Sequence, residues 1–199
     1  MPDTDIESLP LMQRRMLLGY LIPGVNVPLF AYNLYQAFLH FQEGLLNELG
    51  PVFWEDFLVL GSSLFLTIAI PWFFPVYKSK YRLKPEFMEL SRLLRRTVNI
   101  PYRDIDRVEV YIRVDAEISK TATEYATDQS TILRKSGFKF IDYTNSENII
   151  MNLFVSKSIY MISPAKPKTL LKELKHKNRR LTARIVELTR RGKKVQDLT

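Results

Sequence analysis

Residues 57–77 read FLVLGSSLFLTIAIPWFFPVY, an uninterrupted apolar segment without a charged side chain. As one helix this segment would be about 31 Å long, close to the thickness of the hydrocarbon core of a bilayer. Trp54 lies before it, and Trp72 and Tyr77 lie at its other end, where membrane–water interfaces favour aromatic rings. The segment is therefore interpreted as a transmembrane helix. The alternative, a buried helix of a soluble protein, is rarely apolar on every side for this length.

A second hydrophobic segment covers residues 16–41 and predicts the other helix of a transmembrane hairpin. Pro23, Gly24 and Pro28 interrupt its first half, which predicts a broken or partly re-entrant entry into the membrane. Polar side chains recur along one face of the predicted helix: Asn26, Asn33, Gln36 and His40. These side chains are predicted to form hydrogen bonds across the hairpin. A proton or ion path through His40 is the alternative.

The distribution of Lys and Arg predicts the orientation of this hairpin. The connection between the two segments, residues 42–56, contains neither residue type. Arg14 and Arg15 precede the first segment, and Lys78, Lys80 and Arg82 follow the second. Since short cytoplasmic flanks carry the excess of positive charge, we expect a multi-pass protein of the cell membrane with both termini in the cytoplasm.

The composition excludes several classes of catalytic site. The chain has no cysteine, which rules out disulfides, thiolate zinc sites and cysteine nucleophiles. Its two histidines, His40 and His176, lie far apart in the sequence, and no phosphate-binding glycine loop, HExxH or GxSxG occurs. We predict no catalytic residue, no cofactor and no metal site, and therefore no enzyme activity.

Beyond residue 80 the hydrophobic pattern changes from continuous to alternating. Val108, Val110, Ile112 and Val114 alternate with polar residues, which predicts a half-buried strand. Shorter strands are predicted at residues 81–83, 87–90, 95–100, 131–134, 138–143, 149–155 and 158–162. Residues 115–130 are predicted to form a long loop. Pro167 is well placed to begin a helix, which the sequence pattern extends to about Gly192.

Two sequence motifs resemble the bacterial-type PH-like domain of prokaryotic membrane proteins. They are YRLKPEFMELSRLLRRTVNIPYRDIDRVEV at residues 81–110 and NLFVSKSIYMISPAKPKTLLKEL at residues 152–174. The resemblance implies an α+β membrane protein in which a two-helix transmembrane hairpin precedes a seven-stranded antiparallel barrel capped by a C-terminal helix. With the sequence pattern, this divides the chain into residues 1–80 with helices at about 16–41 and 57–77, a cytoplasmic PH-like domain at 81–176, and a basic helical extension at 177–199 that continues past the cap expected of the family. The resemblance to this family implies no catalytic residues.

The formal net charge of +8 predicts contact with an anionic surface. Residues 166–194 contain twelve Lys or Arg against Glu173 and Glu187. The candidate contacts are Lys78, Lys80, Arg82, Arg95, Arg96, Arg179, Arg180, Arg184, Arg190 and Arg191. The predicted function is a non-enzymatic scaffold or adaptor that binds lipid head groups, a protein partner or another copy of the chain. The alternatives are a membrane tether for nucleic acid or ribosomes, acting through the basic tail, and an accessory subunit of a larger membrane complex.

The tail also contains a heptad-like pattern of apolar residues. The candidate contacts for self-association are Leu174, Asn178, Leu181, Ile185 and Leu188. A single Asn at an a position among aliphatic residues is typical of parallel two-stranded coiled coils. The alternative is that this helix docks on the membrane surface or on an acidic partner.

Overall fold

The computed structural model describes residues 4–45, 50–73, 77–114, 122, 137–190 and 192–198. The chain divides into two compact units. One is the helical unit, Gln13–Tyr77, and the other is the β unit, which combines Met1–Met12 with Lys78–Thr199. The N-terminal residues, which the sequence pattern grouped with the transmembrane hairpin, therefore belong with the β-sheets.

The helical unit consists of α1 (Gln13–Gln42) and α2 (Pro51–Phe73). Both helices are long and apolar enough to cross a membrane, with mean hydropathies of 1.3 for Gln13–Gln42 and 1.5 for the span Pro51–Ala69. Only 6% of the apolar window of each helix is buried, whereas the core helix of a soluble protein is mostly buried. The predicted interruption of the first helix is wrong, because α1 continues through Pro23 and Pro28. Each proline removes one backbone hydrogen bond, and the remaining bonds of a 30-residue helix maintain it.

Four polar side chains of α1 were predicted to share one face, and all four are partly buried: Asn26, Asn33, Gln36 and His40. Most of their apolar neighbours are exposed. His40 Nδ1 lies 2.8 Å from Asp56 Oδ2 of α2, so the predicted hydrogen bond across the hairpin is confirmed for this residue. Asp56 was expected in the connecting loop. It is helical because α2 begins at Pro51, a residue type that favours the first turn of a helix.

The β unit begins with a four-stranded antiparallel sheet. Its strands are β1 (Thr4–Ile6), β2 (Ser79–Leu83), β3 (Phe87–Arg92) and β4 (Arg95–Pro101), and they are arranged in that order. A short 3-10 helix, Tyr102–Asp104, leads from β4 into the second sheet.

The second sheet has six strands in the order β10-β9-β5-β7-β8-β6. They are β5 (Ile105–Arg113), β6 (Lys139–Asp142), β7 (Ile149–Val155), β8 (Ser158–Ile162), β9 (Thr182–Thr189) and β10 (Gly192–Leu198), with α3 (Pro167–Lys177) between β8 and β9. The sheet is mixed, because β9 is parallel to β5 and β6 is parallel to β8. The described residues thus form two open sheets, where the sequence predicted one seven-stranded antiparallel barrel. The predicted strand 131–134 and most of the predicted loop 115–130 lie outside the described residues.

The core lies between the sheets and α3. Val108 and Val110 of β5 are fully buried together with Leu170, Leu171 and Leu174 of α3. The predicted core face of β5 is therefore confirmed for Val108 and Val110, and so is the predicted capping role of this helix, whereas Val114 follows the strand and is exposed. The prediction of a half-buried strand is wrong, because β5 is buried on both faces over residues 108–111. The opposite face of β5 contributes Tyr111 to a smaller apolar cluster.

The predicted helical extension is wrong, because α3 ends at Lys177 and the chain continues into β9 and β10. Asn178 ends the helix. Its backbone N–H donates to Leu174 O at 2.8 Å, and its side-chain amide donates to Tyr102 O and Ile105 O at 3.0 Å. The apolar residues of the supposed heptads are buried in the β unit, namely Leu174, Leu181, Ile185 and Leu188. They are unavailable for a coiled coil, since Ile185 packs on one face of β9 and Leu188 on the other.

Candidate functional site

A buried polar cluster centred on Asn145 lies at the end of the four-stranded sheet where β2 begins. The Asn145 side chain accepts a hydrogen bond from Ser79 N at 2.7 Å and donates one to Ser79 O at 3.0 Å. The backbone carbonyl of Asn145 accepts a hydrogen bond from Met12 N at 3.1 Å. Met12 adjoins α1 in the sequence, and Ser79 follows α2 by six residues. One fully buried residue thus connects the two segments of the β unit that lead to the helical unit, through its backbone carbonyl on one side and its side chain on the other.

Ser163 and Tyr81 extend this cluster between the two sheets. Ser163 Oγ accepts hydrogen bonds from Asn145 N at 2.6 Å and Ser146 N at 3.2 Å. The Tyr81 hydroxyl accepts from Ser163 N at 3.1 Å and donates to Tyr143 O at 2.6 Å. Burial raises the pKa of the Tyr81 hydroxyl above its usual value. Buried polar groups that are paired in this way hold neighbouring segments in one arrangement.

Two arginines and Tyr143 support the hairpin formed by β3 and β4. Arg92 is buried, and its guanidinium donates to Ser79 Oγ at 2.9 Å. Arg95 donates to Asp142 O at 2.9 Å. Both guanidinium groups lie over the Tyr143 ring, 5.3 and 5.4 Å from its centroid, a distance typical of cation–π contacts. The Tyr143 hydroxyl donates to Arg96 O at 2.9 Å, so both sides of the hairpin end are fixed to the second sheet.

The turn of this hairpin consists of Leu93 and Leu94, which are 62% and 47% exposed. Arg92 pairs with Arg95 in the strand register, so these two residues form the complete loop. Leu94 has a φ of 60°, in the left-handed region that glycine or asparagine normally occupies in two-residue turns. A bulky apolar residue in this conformation is unfavourable locally and places its side chain in solvent.

Comparison with known proteins gives no further assignment. No protein-family model matches the chain, and no curated protein or solved structure matches it. The interpretation of this site therefore depends on its own geometry.

The basic residues that the sequence predicted to contact an anionic surface lie in separate parts of the β unit. Lys78, Lys80, Arg95 and Arg96 lie at the end of the four-stranded sheet that carries the Leu93–Leu94 turn, because Ser79 pairs with Arg92. Arg82 lies further along β2, and its charge is balanced by Asp5 at 2.9 Å and Glu89 at 3.7 Å.

The other predicted cations lie elsewhere in the β unit. Arg179 and Arg180 follow α3, whose Lys177 contacts the carbonyls of the β2–β3 turn at the opposite end of the sheet. Arg184 pairs with Asp197 at 2.7 Å, which raises the pKa of its guanidinium. Arg190 is an exposed residue after β9, and Arg191 lies outside the described residues. The ten residues therefore do not form a single surface.

Two clefts of about 730 and 350 Å³ lie beside the C-terminal end of α3 and share His176 and Lys177 in their linings. Tyr102 lines the larger one, and its hydroxyl donates to Lys84 O at 2.7 Å. Burial, followed by the negative charge of Glu173, raises the pKa of Tyr102 to about 12. These clefts lie away from the polar cluster, at the other end of β2 and β3.

Glu109 of β5 is the only buried carboxylate among the described residues. Arg107 lies 3.2 Å from one carboxylate oxygen, and the Tyr111 hydroxyl donates to the other at 2.8 Å. Burial and the Glu109 charge raise the pKa of Tyr111. This balanced group supports the sheet. Among the described residues, no group of three or more His, Cys, Asp or Glu side chains is arranged to hold a metal ion.

The sequence alone did not single out Asn145, Ser163 or the Leu93–Leu94 turn. Residues 144–148 gave only a turn signal, and a polar side chain in a turn does not reveal which backbone groups it binds. The turn itself carried a usable signal. Two leucines occupy a position between two strands where glycine or asparagine is preferred, and arginines flank them on both sides.

Proposed function

We propose that the chain is an integral membrane protein in which α1 and α2 cross the cell membrane and hold the β unit at its cytoplasmic face. In this proposal the β unit is a non-enzymatic, PH-like scaffold that binds lipid head groups or a protein partner. Support for the PH-like relationship comes from α3, which follows β8 and contributes Leu170, Leu171 and Leu174 to the core of the β unit.

The observation that carries the proposal is the attachment of Met12 and Ser79 to Asn145. A domain tethered through a flexible linker leaves its connections unpaired and solvated. Here both connections are bound to one fully buried residue. Such an attachment holds the two chain connections of the β unit next to each other, which suits a module anchored by a two-helix hairpin.

The orientation follows from charge. Lys78 and Lys80 adjoin α2 on the side of the β unit, and Arg14 and Arg15 open α1. The connection between the helices carries Glu43 and no Lys or Arg. Positive residues are retained on the cytoplasmic side, which supports a cytoplasmic β unit in this proposal.

The structure gives less support to a nucleic-acid tether through the tail. Lys168 pairs with Glu187 at 2.9 Å and Arg184 with Asp197 at 2.7 Å, so part of the positive charge of the tail is balanced within the β unit. The remaining cations of the described tail residues are distributed over α3, the turn that follows it and two strands.

Membrane extraction combined with co-purification tests the proposal. Alkaline carbonate should leave the full chain in the membrane fraction, and purification in mild detergent should recover at least one partner. Val110→Asp places a carboxylate in the core and should unfold the β unit, with loss of that partner and no loss of membrane insertion. Thr97→Asp places the same charge on an exposed position of β4 and should retain the partner. Release of the chain by carbonate, or an identical set of partners for Val110→Asp, would contradict the proposal.

A further inference from the structure

We propose that the Leu93–Leu94 turn is a membrane-contact element that inserts into the head-group region of an anionic bilayer, with the neighbouring basic side chains on the lipid phosphates. This inference rests on the proposed function, because the bilayer is the one that α1 and α2 cross.

The Leu93–Leu94 turn exposes apolar side chains on a surface of the β unit that has few of them. Among the described residues of this unit, the exposed large apolar side chains are Leu93, Leu94, Val114 and Val195. Two of these four are adjacent and occupy the same hairpin turn. Scattered exposed apolar residues are ordinary, but a protruding pair forms a contact surface suited to an apolar medium.

The backbone of the turn indicates that an apolar side chain is retained there against local preference. Leu94 has a φ of 60°. Asn or Gly would occupy this conformation with less strain and would also be better solvated. Strained residues that persist in a structure are concentrated at functional positions.

The turn is also firmly supported, which suits insertion without a large loss of conformational entropy. Arg92 and Arg95 lie on the Tyr143 ring, and Tyr143 binds the backbone of Arg96. The side chains next to the turn are thereby fixed in advance, so that contact with a surface orders few additional groups.

Charge favours an anionic bilayer as the occupant. Lys78, Lys80, Arg95 and Arg96 lie at the same end of the sheet as the turn. The acidic residue next to this group, Asp142, contacts Arg95 through its backbone carbonyl, while its carboxylate accepts hydrogen bonds from Thr144 N and Oγ1 at 2.7 Å. Each basic residue near an anionic leaflet contributes favourably to attraction.

The connection to α2 makes this contact geometrically possible. Five residues, 74–78, join α2 to β2, and the six Cα–Cα steps from Phe73 to Ser79 span at most about 22 Å when fully extended. In the proposed function, this short connection keeps the bilayer that α2 crosses within reach of the turn.

The test uses the full chain, into which a single cysteine can be introduced because none is present. Leu93→Cys is labelled with a polarity-sensitive fluorophore and reconstituted into phosphatidylcholine vesicles with or without phosphatidylglycerol. Glu86→Cys, in the turn at the opposite end of β3, is the matched control. We expect a blue shift and quenching by spin-labelled lipid at position 93, stronger with phosphatidylglycerol, and neither effect at position 86.

Leu94→Asn separates lipid contact from folding, because Asn accommodates the positive φ while removing the apolar side chain. This variant should unfold at the same temperature as the parent or higher. In Leu94→Asn, the equilibrium ratio of membrane-inserted to free turn should be about tenfold lower than in the parent, because the variant loses the free energy of transferring one leucine side chain out of water.

Several results would overturn the inference. If the fluorophore at position 93 is not quenched in either type of vesicle, lipid contact is excluded. A blue shift without quenching by lipid would indicate that the turn contacts a protein, such as a second copy of the chain. Equal quenching with and without phosphatidylglycerol would exclude the role of charge. Flotation with the vesicles in alkaline carbonate is recorded for every sample. A chain that fails to float contradicts the proposed function, whereas a chain that floats with an unquenched turn contradicts this inference alone.

Discussion

Single polar side chains in the β unit hold together segments that are distant in sequence. Asn145 binds Ser79 through both polar atoms of its side chain, across a separation of 66 residues. Asn178 similarly binds the carbonyls of Tyr102 and Ile105 while it ends α3. In both cases a side-chain amide satisfies backbone groups that no strand pairs, and leaving such groups buried without a partner would cost about 1–3 kcal/mol each.

The buried tyrosines predict a loss of stability at alkaline pH. The pKa of Tyr102 is raised to about 12 from 10.0 because the neutral hydroxyl is favoured in the folded protein. This contribution is complete below pH 10 and is lost as the pH rises towards 12. At about pH 8, Tyr102→Phe should unfold more easily than the parent, by about 1 kcal/mol for the hydrogen bond to Lys84 O. The difference in unfolding free energy between Tyr102→Phe and the parent should become smaller as the pH rises from 10 towards 12.

The measurement is thermal unfolding of the detergent-solubilised full chain, followed by circular dichroism across that pH range. A constant difference between Tyr102→Phe and the parent at every pH would show that this hydroxyl is not favoured in its neutral form by folding.

The strands of the β unit were largely predictable, because alternation along a half-buried strand is a local signal. The alternation of apolar and polar residues placed Val108 and Val110 on the core side of β5, as observed. The end of α3 was not predictable in the same way. Leu181, Ile185 and Leu188 have spacings that suit a helix, yet Ala183 and Ile185 also alternate as a strand requires. The choice between the two is made by β5, which offers an unpaired edge from Arg107 to Arg113 that only a distant segment can fill.

Truncation should distinguish the roles of the last two strands. A chain ending at Thr189 lacks β10, whose residues are mostly exposed, and should retain the fold with a modest loss of stability. A chain ending at Asn178 also lacks β9 and exposes both the edge of β5 and the core around Val108. This second chain should be digested rapidly in limited proteolysis. Equal resistance of the two truncated chains would show that β9 is dispensable, as a helical tail outside the core would be.

The candidate site was predictable only in part. The sequence indicated basic residues on both sides of residue 93, and the structure brings Lys78 and Lys80 to the same end of the sheet as Arg95 and Arg96. It did not indicate that Arg92 is directed inward, because a guanidinium is buried only where distant partners such as Thr144 are available. Long-range pairing of this kind has no local sequence signal.

The whole chain combines two units of opposite surface character. The helical unit exposes apolar side chains along both helices, whereas the described β unit has a conventional core and few exposed apolar residues. An exposed apolar surface of this extent is stable in a bilayer and would cause aggregation in water. This contrast is the physical basis for the proposed membrane-anchored module. It was evident from the sequence because charge and hydrophobicity are segregated along the chain.

Cysteine accessibility in intact cells tests this arrangement most directly. Glu43→Cys lies just after α1, in the connection between the helices, and Lys157→Cys lies in the exposed turn between β7 and β8. The chain has no other cysteine, so each variant reports one position. With a membrane-impermeant maleimide, we expect Glu43→Cys to be labelled in intact cells and Lys157→Cys to be labelled only after the membrane is disrupted. Labelling of Lys157→Cys in intact cells, with protection of Glu43→Cys, would contradict the cytoplasmic placement of the β unit.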